Sequence, residues 1–335
     1  MQMDRIKLGL LGMGQRGNGL LTNILNNFSD VDVVAVCDSY EDRTIEAAQC
    51  VEKKQGSRPA AYTNHSELLA DGNVDVVIIS ASWEAHIPLA IESMRAGKIV
   101  GLEVGGAYSI DDCWELVRTW EETKIPFMFL ENCCYGAREL LATKLVRTGR
   151  LGEVVFCHGS YCHDLRSEIC GGIKNRHYRL RNYLARNCDN YPTHNFGPIA
   201  KILNINRGNR ILKLVSMASK SRGLHAYVQD KEEFAFLKDK TFAQGDVVTT
   251  MITCADGTLV TLKLDTTLPR AYSREFTVSG TKGFFSEQDD VILEDGTFNH
   301  EIGVENYRNT AKDFKELHPK IWKDITRRCK GNYGR

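Results

Sequence analysis

The sequence predicts an α/β protein: an N-terminal doubly wound parallel sheet, then an α+β region on a mostly antiparallel open sheet. Three observations carry this. Through the first 132 residues, short and nearly continuous apolar runs alternate with helical patterns, as expected of strands buried on both faces and joined by crossover helices. A glycine-rich turn follows the first apolar run. Beyond about residue 150 the pattern changes to successive strand-like segments with a hairpin between two of them.

The first element is Ile6-Lys7-Leu8-Gly9-Leu10-Leu11-Gly12. The run is short for the apolar core of an export leader and leads straight into a glycine turn, so it reads as a strand. Apolar runs at 31–37, 74–79, 98–102 and 125–130 read as further strands of one parallel sheet. Amphipathic segments at 84–95 and 111–122 read as helices between them. Ser109, with Asp112 three residues on, forms a helix-start capping pair. A helix over 137–148, ended by Gly149 and Gly152, leads into the second region. There, 153–161, 211–220, 246–255, 258–265 and 275–280 read as strands, and Ala255-Asp256-Gly257 as a hairpin turn. The expected domains are 1–135, binding a cofactor, and 136–335, binding substrate and associating with other copies through its sheet.

Composition sets limits. At 335 residues, two domains are the default. A content of 42% hydrophobic and 26% charged residues argues against disorder. Basic and acidic residues balance at 43 each with no basic run, which argues against nucleic acid or an anionic membrane as partner. No apolar run approaches the roughly 18 residues of a membrane span. The 11 cysteines are odd in number and irregularly spaced, and adjacent Cys133 and Cys134 are poor partners for each other. Buried free thiols in a reducing compartment follow, hence a cytoplasmic location, or a periplasmic one where an export signal has been removed. No zinc-type pair of Cys-x-x-Cys motifs occurs, and no metal site is expected.

Gly12-Met13-Gly14-Gln15-Arg16-Gly17 sits between a strand and a helix, and Asp38 closes the next strand 21 residues after Gly17. Glycines Gly12, Gly14 and Gly17 allow a tight turn and close approach to a pyrophosphate, and the following helix start favours its charge. Asp38 would accept hydrogen bonds from ribose hydroxyls and repel a 2′-phosphate, which selects NAD over NADP. As a strand-end carboxylate it is expected to lie outside the core. Trp83-Glu84-Ala85-His86 follows another strand end, where either ligand contact or helix-start packing fits.

The second half holds Tyr161-Cys162-His163-Asp164-Leu165-Arg166, Tyr191-Pro192-Thr193-His194 and Pro269-Arg270-Ala271-Tyr272-Ser273-Arg274. Phenols and imidazoles dominate, and no carboxylate pair stands in the context an ordinary glycosidase needs. With Thr193 as cap, His194 falls in a helix's first turn, whose positive end favours a neutral ring able to accept a proton. Arg166 and Arg179 either bind a sugar or pair with Asp164 and Asp189.

These segments, with Leu130-Glu131-Asn132-Cys133-Cys134-Tyr135, Glu103 and Gly280-Thr281-Lys282-Gly283, resemble the glucose–fructose oxidoreductase and inositol dehydrogenase superfamily. Within it they are most similar to glycoside hydrolase family 109, the NAD-dependent α-N-acetylgalactosaminidases. The resemblance implies a Rossmann domain with NAD contacts at Gln15, Arg16, Asp38, Trp83, Glu84, Ala85, His86, Glu103, Val104 and Asn132. It implies substrate contacts at Tyr161, Arg179, Tyr191, Pro192, Thr193, His194 and Tyr272. His194, Tyr161 and Tyr272 are the candidate acids and bases, with His163 beside them. The activity implied is glycoside hydrolysis by transient oxidation, elimination, water addition and re-reduction. A sugar or polyol dehydrogenase and a non-catalytic NAD sensor are the alternatives. The superfamily's dehydrogenases carry Glu-Lys-Pro where this chain has Glu103-Val104-Gly105, so the lysine that assists alcohol oxidation is absent. Family members also continue into a His-Gly-Gly-Met-Asp-like segment, whereas this chain stops at Gly334-Arg335; truncation or loss of that element is expected.

Overall fold

The computed structural model describes residues 5–317 and 319–322. The end of the chain, with Gly334-Arg335, lies outside the described residues. The chain forms two compact units that divide between Leu130 and Glu131.

The first unit runs β1 (Ile6–Leu11), α1 (Gln15–Asn27), β2 (Val31–Cys37), α2 (Glu41–Gln55), β3 (Ala60–Tyr62), α3 (His65–Ala70), β4 (Val76–Ile79), α4 (Trp83–Arg95), β5 (Ile99–Leu102), α5 (Ile110–Thr123) and β6 (Phe127–Phe129). Its six strands lie in the order β3-β2-β1-β4-β5-β6, and every pairing is parallel. Side chains alternate across the sheet. Leu8, Leu10 and Val36 pack with Leu21 of α1 and Ala47 of α2. Leu11, Ala35 and Cys37 belong to a second core with Leu68 of α3 and Ile87 of α4. Burial on both faces is why these strands read as unbroken apolar runs. The Ser109 cap forms as expected, its hydroxyl accepting from the Asp112 N–H at 3.0 Å. Strand β3 left no mark in the sequence because three residues cannot show a period. The order reverses between β1 and β4, and the crevice at the carboxyl ends beside such a reversal is where open α/β sheets bind ligands.

The second unit begins with a 3-10 turn, Asn132–Tyr135, and α6 (Ala137–Arg147). Next come β7 (Val154–Cys162), α7 (Arg166–Cys170), α8 (Arg179–Ala185), α9 (Thr193–Ile202), β8 (Ile211–Ala218) and α10 (Gly223–Gln229). It closes with β9 (Val247–Cys254), β10 (Leu259–Asp265), β11 (Thr277–Gly280), β12 (Gly283–Ser286) and β13 (Val291–Glu294). The seven-stranded sheet has the order β13-β12-β11-β7-β10-β9-β8. All pairs are antiparallel except β7 with β10. The β9–β10 hairpin forms at 255–257 as expected. Helices α6 and α9 set Leu141, Leu145, Ile199 and Ile202 against Cys157, Ile252, Leu262 and Phe276 of the sheet region. Val215, Met217 and Met251 of β8 and β9 stay exposed. Strands β12 and β13, four residues each, were not anticipated.

Candidate functional site

In the first unit the glycine turn closes as its motif requires. A Cβ on Gly17 would come within 1.9 Å of the Gly12 carbonyl oxygen, so only glycine lets α1 start this close to β1. Gly14 precedes α1 and supplies no side-chain cap, and the helix carries no acid in its first turn. Its first N–H groups are therefore left to an external anion. Ser80, which no sequence motif marks, donates its hydroxyl to the Gly12 carbonyl at 2.8 Å and ties the end of β4 to the turn.

Asp38 is more deeply set than expected. It is buried, and its carboxylate accepts from the Met13 N–H at 2.7 Å and the Tyr40 N–H at 3.0 Å. The expectation that it lies outside the core is thus corrected, because the turn needs an acceptor for its own amides. Arg43 stands 3.6 Å from the same carboxylate. Of the other expected NAD contacts, Gln15 and Arg16 are exposed at the start of α1. Arg16 donates twice to buried Glu103, at 2.8 and 2.6 Å. The Glu103 carboxylate also accepts from the N–H of buried Val104 at 3.0 Å. Trp83 and His86 are both buried at the start of α4, with Glu84 and Ala85 half-buried between them. The His86 ring lies 3.1 Å from the Ala81 carbonyl, to which Nε2 must donate, and burial lowers its pKa to about 4. The ring is therefore neutral at physiological pH. Asn132 falls in the second unit, exposed on the 3-10 turn.

In the second unit the expected aromatic residues do converge. Tyr161, at the end of β7, lies 4.8 Å from the Tyr191 ring, 5.5 Å from His194, 6.3 Å from His163 and 6.4 Å from Tyr272, centroid to centroid. His163 and Tyr272 are 5.3 Å apart. The Arg179 guanidinium sits over the Tyr191 ring at 5.2 Å. It pairs with Glu168 at 2.6 Å, not with Asp189, while Arg166 pairs with Asp164 at 2.7 Å.

The local reading of His194 needs correction. Pro192, not Thr193, is the cap residue, and Thr193 is the first residue of α9. The nearest charge to the ring is the carboxylate of Glu131, whose Oε1 lies 2.7 Å from His194 Nδ1. Glu131 was quoted in the sequence motif but given no role. The same oxygen accepts from the Cys133 N–H at 2.8 Å and so caps the 3-10 turn. Burial raises the Glu131 pKa, but the hydrogen bonds and charge of His194 and the Cys133 amide outweigh it and hold it below the usual range. An ionised carboxylate only accepts, so Nδ1 carries a proton and a neutral ring presents Nε2 as its basic atom. Gly197 makes this approach feasible, because a Cβ there would stand 2.8 Å from Glu131 Cγ.

Arg274 was likewise missed. It is buried, donates to Glu139 of α6 at 2.7 Å and to the His194 carbonyl at 2.6 Å, and so pins the first turn of α9. The phenols carry the opposite tendency to Glu131. Burial raises the Tyr161 pKa despite nearby Arg179, and partial desolvation raises that of Tyr272, whose side chain is otherwise exposed, to about 12. Both stay protonated at neutral pH. Glu131, Cys133 and His194 each bring a donor atom to within 4.8 Å of the others.

The cradle, the parallel sheet and the strand-end acid define an NAD-binding protein of oxidoreductase fold, and the residues present fit that dinucleotide. Residues 6–129 match the oxidoreductase family, NAD-binding Rossmann fold, and residues 135–334 match the C-terminal domain of glycosyl hydrolase 109. The chain belongs to glycosyl hydrolase family 109. It is 34% identical to an alpha-N-acetylgalactosaminidase of Tannerella forsythia, over 97% of this chain and 74% of that protein. A glycosyl hydrolase family 109 protein of Shewanella pealeana is 36% identical, over 85% of this chain and 64% of the relative. The chain thus spans between about two thirds and three quarters of the length of these relatives. Scyllo-inositol dehydrogenase from Lactobacillus casei, solved with NAD(H) and scyllo-inositol, shares the fold at a TM-score of 0.66 and 16% identity, covering 96% of this chain and 90% of that one.

Proposed function

We propose that this protein hydrolyses glycosides with NAD as a recycled cofactor, and that its substrate is an α-N-acetylgalactosaminide-like sugar. The observation that carries the reading is the Glu131–His194 pair set among Tyr161, Tyr191 and Tyr272. Family membership and the name of the Tannerella forsythia relative support the substrate class.

The glycine turn, the start of α1 and Asp38 would hold NAD⁺, which would supply reversible oxidation of one sugar alcohol. The C–H beside the resulting carbonyl is then acidic enough for a histidine base. His194 takes that proton at Nε2, while Glu131 at Nδ1 fixes the tautomer and offsets the imidazolium charge. Tyr161, kept protonated by burial, donates a hydrogen bond to the developing oxyanion. Tyr272 protonates the leaving glycosidic oxygen and regains its proton from the water that then adds, while His194 returns its proton to the neighbouring carbon. Arg179 and Tyr191 form a flat cationic and aromatic wall of the kind sugars pack against. His163, within ring contact of Tyr272, orients that phenol. Pro192 and Thr193 set the direction of α9. The reaction requires no divalent metal.

The exposed apolar residues Leu214, Val215 and Met217 of β8 support association of copies through the second sheet. The described cysteines are free thiols, which supports a reducing, cytoplasmic setting. Among the described residues, no helix is long and apolar enough to cross a membrane.

The test is hydrolysis of a glycoside panel in D₂O, with mass analysis of the released sugar. Deuterium at one ring carbon with no net NADH is the expected result. Stoichiometric NADH would make the protein a dehydrogenase. Tight NAD without turnover would make it a sensor. Hydrolysis without deuterium uptake would mean direct displacement.

A further inference from the structure

The pairing that makes His194 a base also leaves it open to capture. Glu131 and Cys133 lie two residues apart on the turn after β6, and α9 brings His194 to them, so that one donor atom from each falls within 4.8 Å of the others. Glu131 and Cys133 are buried and His194 is half-buried. Among the described residues Glu131 Oε2 is buried and accepts no well-formed hydrogen bond. The set offers a carboxylate oxygen, a sulfur and an imidazole nitrogen, the mixture that suits borderline cations. Donors around tetrahedral zinc stand roughly 3.5 Å apart, so side-chain rotations of about an ångström would close the three onto one ion. A thiolate and a carboxylate balance a divalent charge, and the neighbouring Arg274 is already neutralised by Glu139 at 2.7 Å.

We propose that Glu131, Cys133 and His194 form a site for a thiophilic divalent cation, zinc above all, and that its occupancy silences the base. The ion takes His194 at Nδ1, and the ring proton moves to Nε2. The ring then has no lone pair to offer substrate. The Cys133 thiol gives up its proton to solvent as sulfur binds the metal, and Glu131 exchanges its hydrogen bond from Nδ1 for the ion. The site rests on geometry alone, while its inhibitory consequence rests on the proposed role of His194.

The probe is Co²⁺, added to the NAD-loaded protein in a Cys113→Ser background that removes the exposed thiol among the described residues. One equivalent should give a near-ultraviolet thiolate-to-cobalt band that Zn²⁺ bleaches. Cys133→Ser should abolish the band and weaken Zn²⁺ by at least about 10²-fold, and Glu131→Gln should weaken it by about 10-fold or more. Cys134→Ser should leave both unchanged. Far-ultraviolet dichroism and NAD retention of Cys133→Ser establish that it folds; if it does not, Glu131→Gln carries the test. Zn²⁺ should inhibit turnover and EDTA restore it. No band at one equivalent, or a band that survives Cys133→Ser, overturns the site. Metal binding in a protein without glycosidase activity would leave the site standing and remove the function.

Discussion

The Glu131→Gln substitution tests the central element of the proposed chemistry, and the structure sets its size. Glu131 Oε1 accepts two hydrogen bonds, from the Cys133 amide at 2.8 Å and from His194 Nδ1 at 2.7 Å. In the glutamine variant the Cys133 N–H decides how the amide sits. The carbonyl oxygen must face it, since the alternative sets donor against donor. That same oxygen still accepts from Nδ1, so the tautomer that exposes Nε2 survives. What is lost is the charge that stabilises the imidazolium formed as the proton arrives. A hydrogen bond to a charged group contributes about 1.5–3 kcal/mol, which converts to a fall in kcat of roughly 10- to 100-fold. A fall of about 10⁴-fold would instead mean that the amide had turned and locked the wrong tautomer. Steady-state kinetics on a chromogenic glycoside, with NAD content measured for each preparation, reads the effect. His194→Ala should cost at least as much, and adding Glu131→Gln to it should change little, because the carboxylate acts through the ring. Wild-type kcat in Glu131→Gln would refute the reasoning. So would an undiminished effect in the His194→Ala background, which would show that Glu131 acts elsewhere.

Three further outcomes follow from the same geometry. Glu287 is raised to about 7 by burial and by Glu139, with Arg274 and Arg138 opposing. A raised carboxyl pKa stabilises the fold below the ordinary value and loses that contribution as pH rises through about 7. Urea unfolding should therefore show wild type losing roughly 3 kcal/mol relative to Glu287→Gln between acid and mildly alkaline pH; a pH-independent difference would refute it. Asp38→Ala should leave the Met13 and Tyr40 amides without their acceptor, costing about 1–3 kcal/mol in unfolding free energy. It should also narrow the gap between NAD⁺ and NADP⁺ stabilisation in thermal unfolding, and an unchanged gap would exclude Asp38 from cofactor choice. Gly197→Ala places a Cβ 2.8 Å from Glu131 Cγ and should lower turnover by about 10-fold or more with NAD retained; unaltered turnover would show that the helix start can give way.

Much of the fold was legible because burial on two faces leaves a long local signature. Strands β1, β2, β4 and β5 are continuous apolar runs since helices cover both sides of them. The short strands β3, β12 and β13 escaped because three or four residues cannot establish a period. The glycine turn was legible because its backbone geometry restricts which residue can stand at Gly17, whatever lies elsewhere in the chain.

The second-half site divided differently. Tyr161, Tyr191, His194 and Tyr272 stood out because phenols and an imidazole were grouped at strand ends and a helix start, and the tertiary structure does bring their rings together. Glu131 and Arg274 could not be assigned in the same way. A carboxylate on a turn and an arginine after a strand are ordinary in any sequence. Their roles arise from contacts 63 and 80 residues away, at His194 Nδ1 and the His194 carbonyl. Asp38 shows the same limit from the other side, since a strand-end acid suggested a ribose and only folding revealed the two amides it serves. The sequence by itself determined the residue types and their local backbone, because turns, caps and apolar periods are short-range constraints. The tertiary structure alone decided which charge faces which ring, because desolvation and hydrogen bonding depend on neighbours that the chain order does not specify.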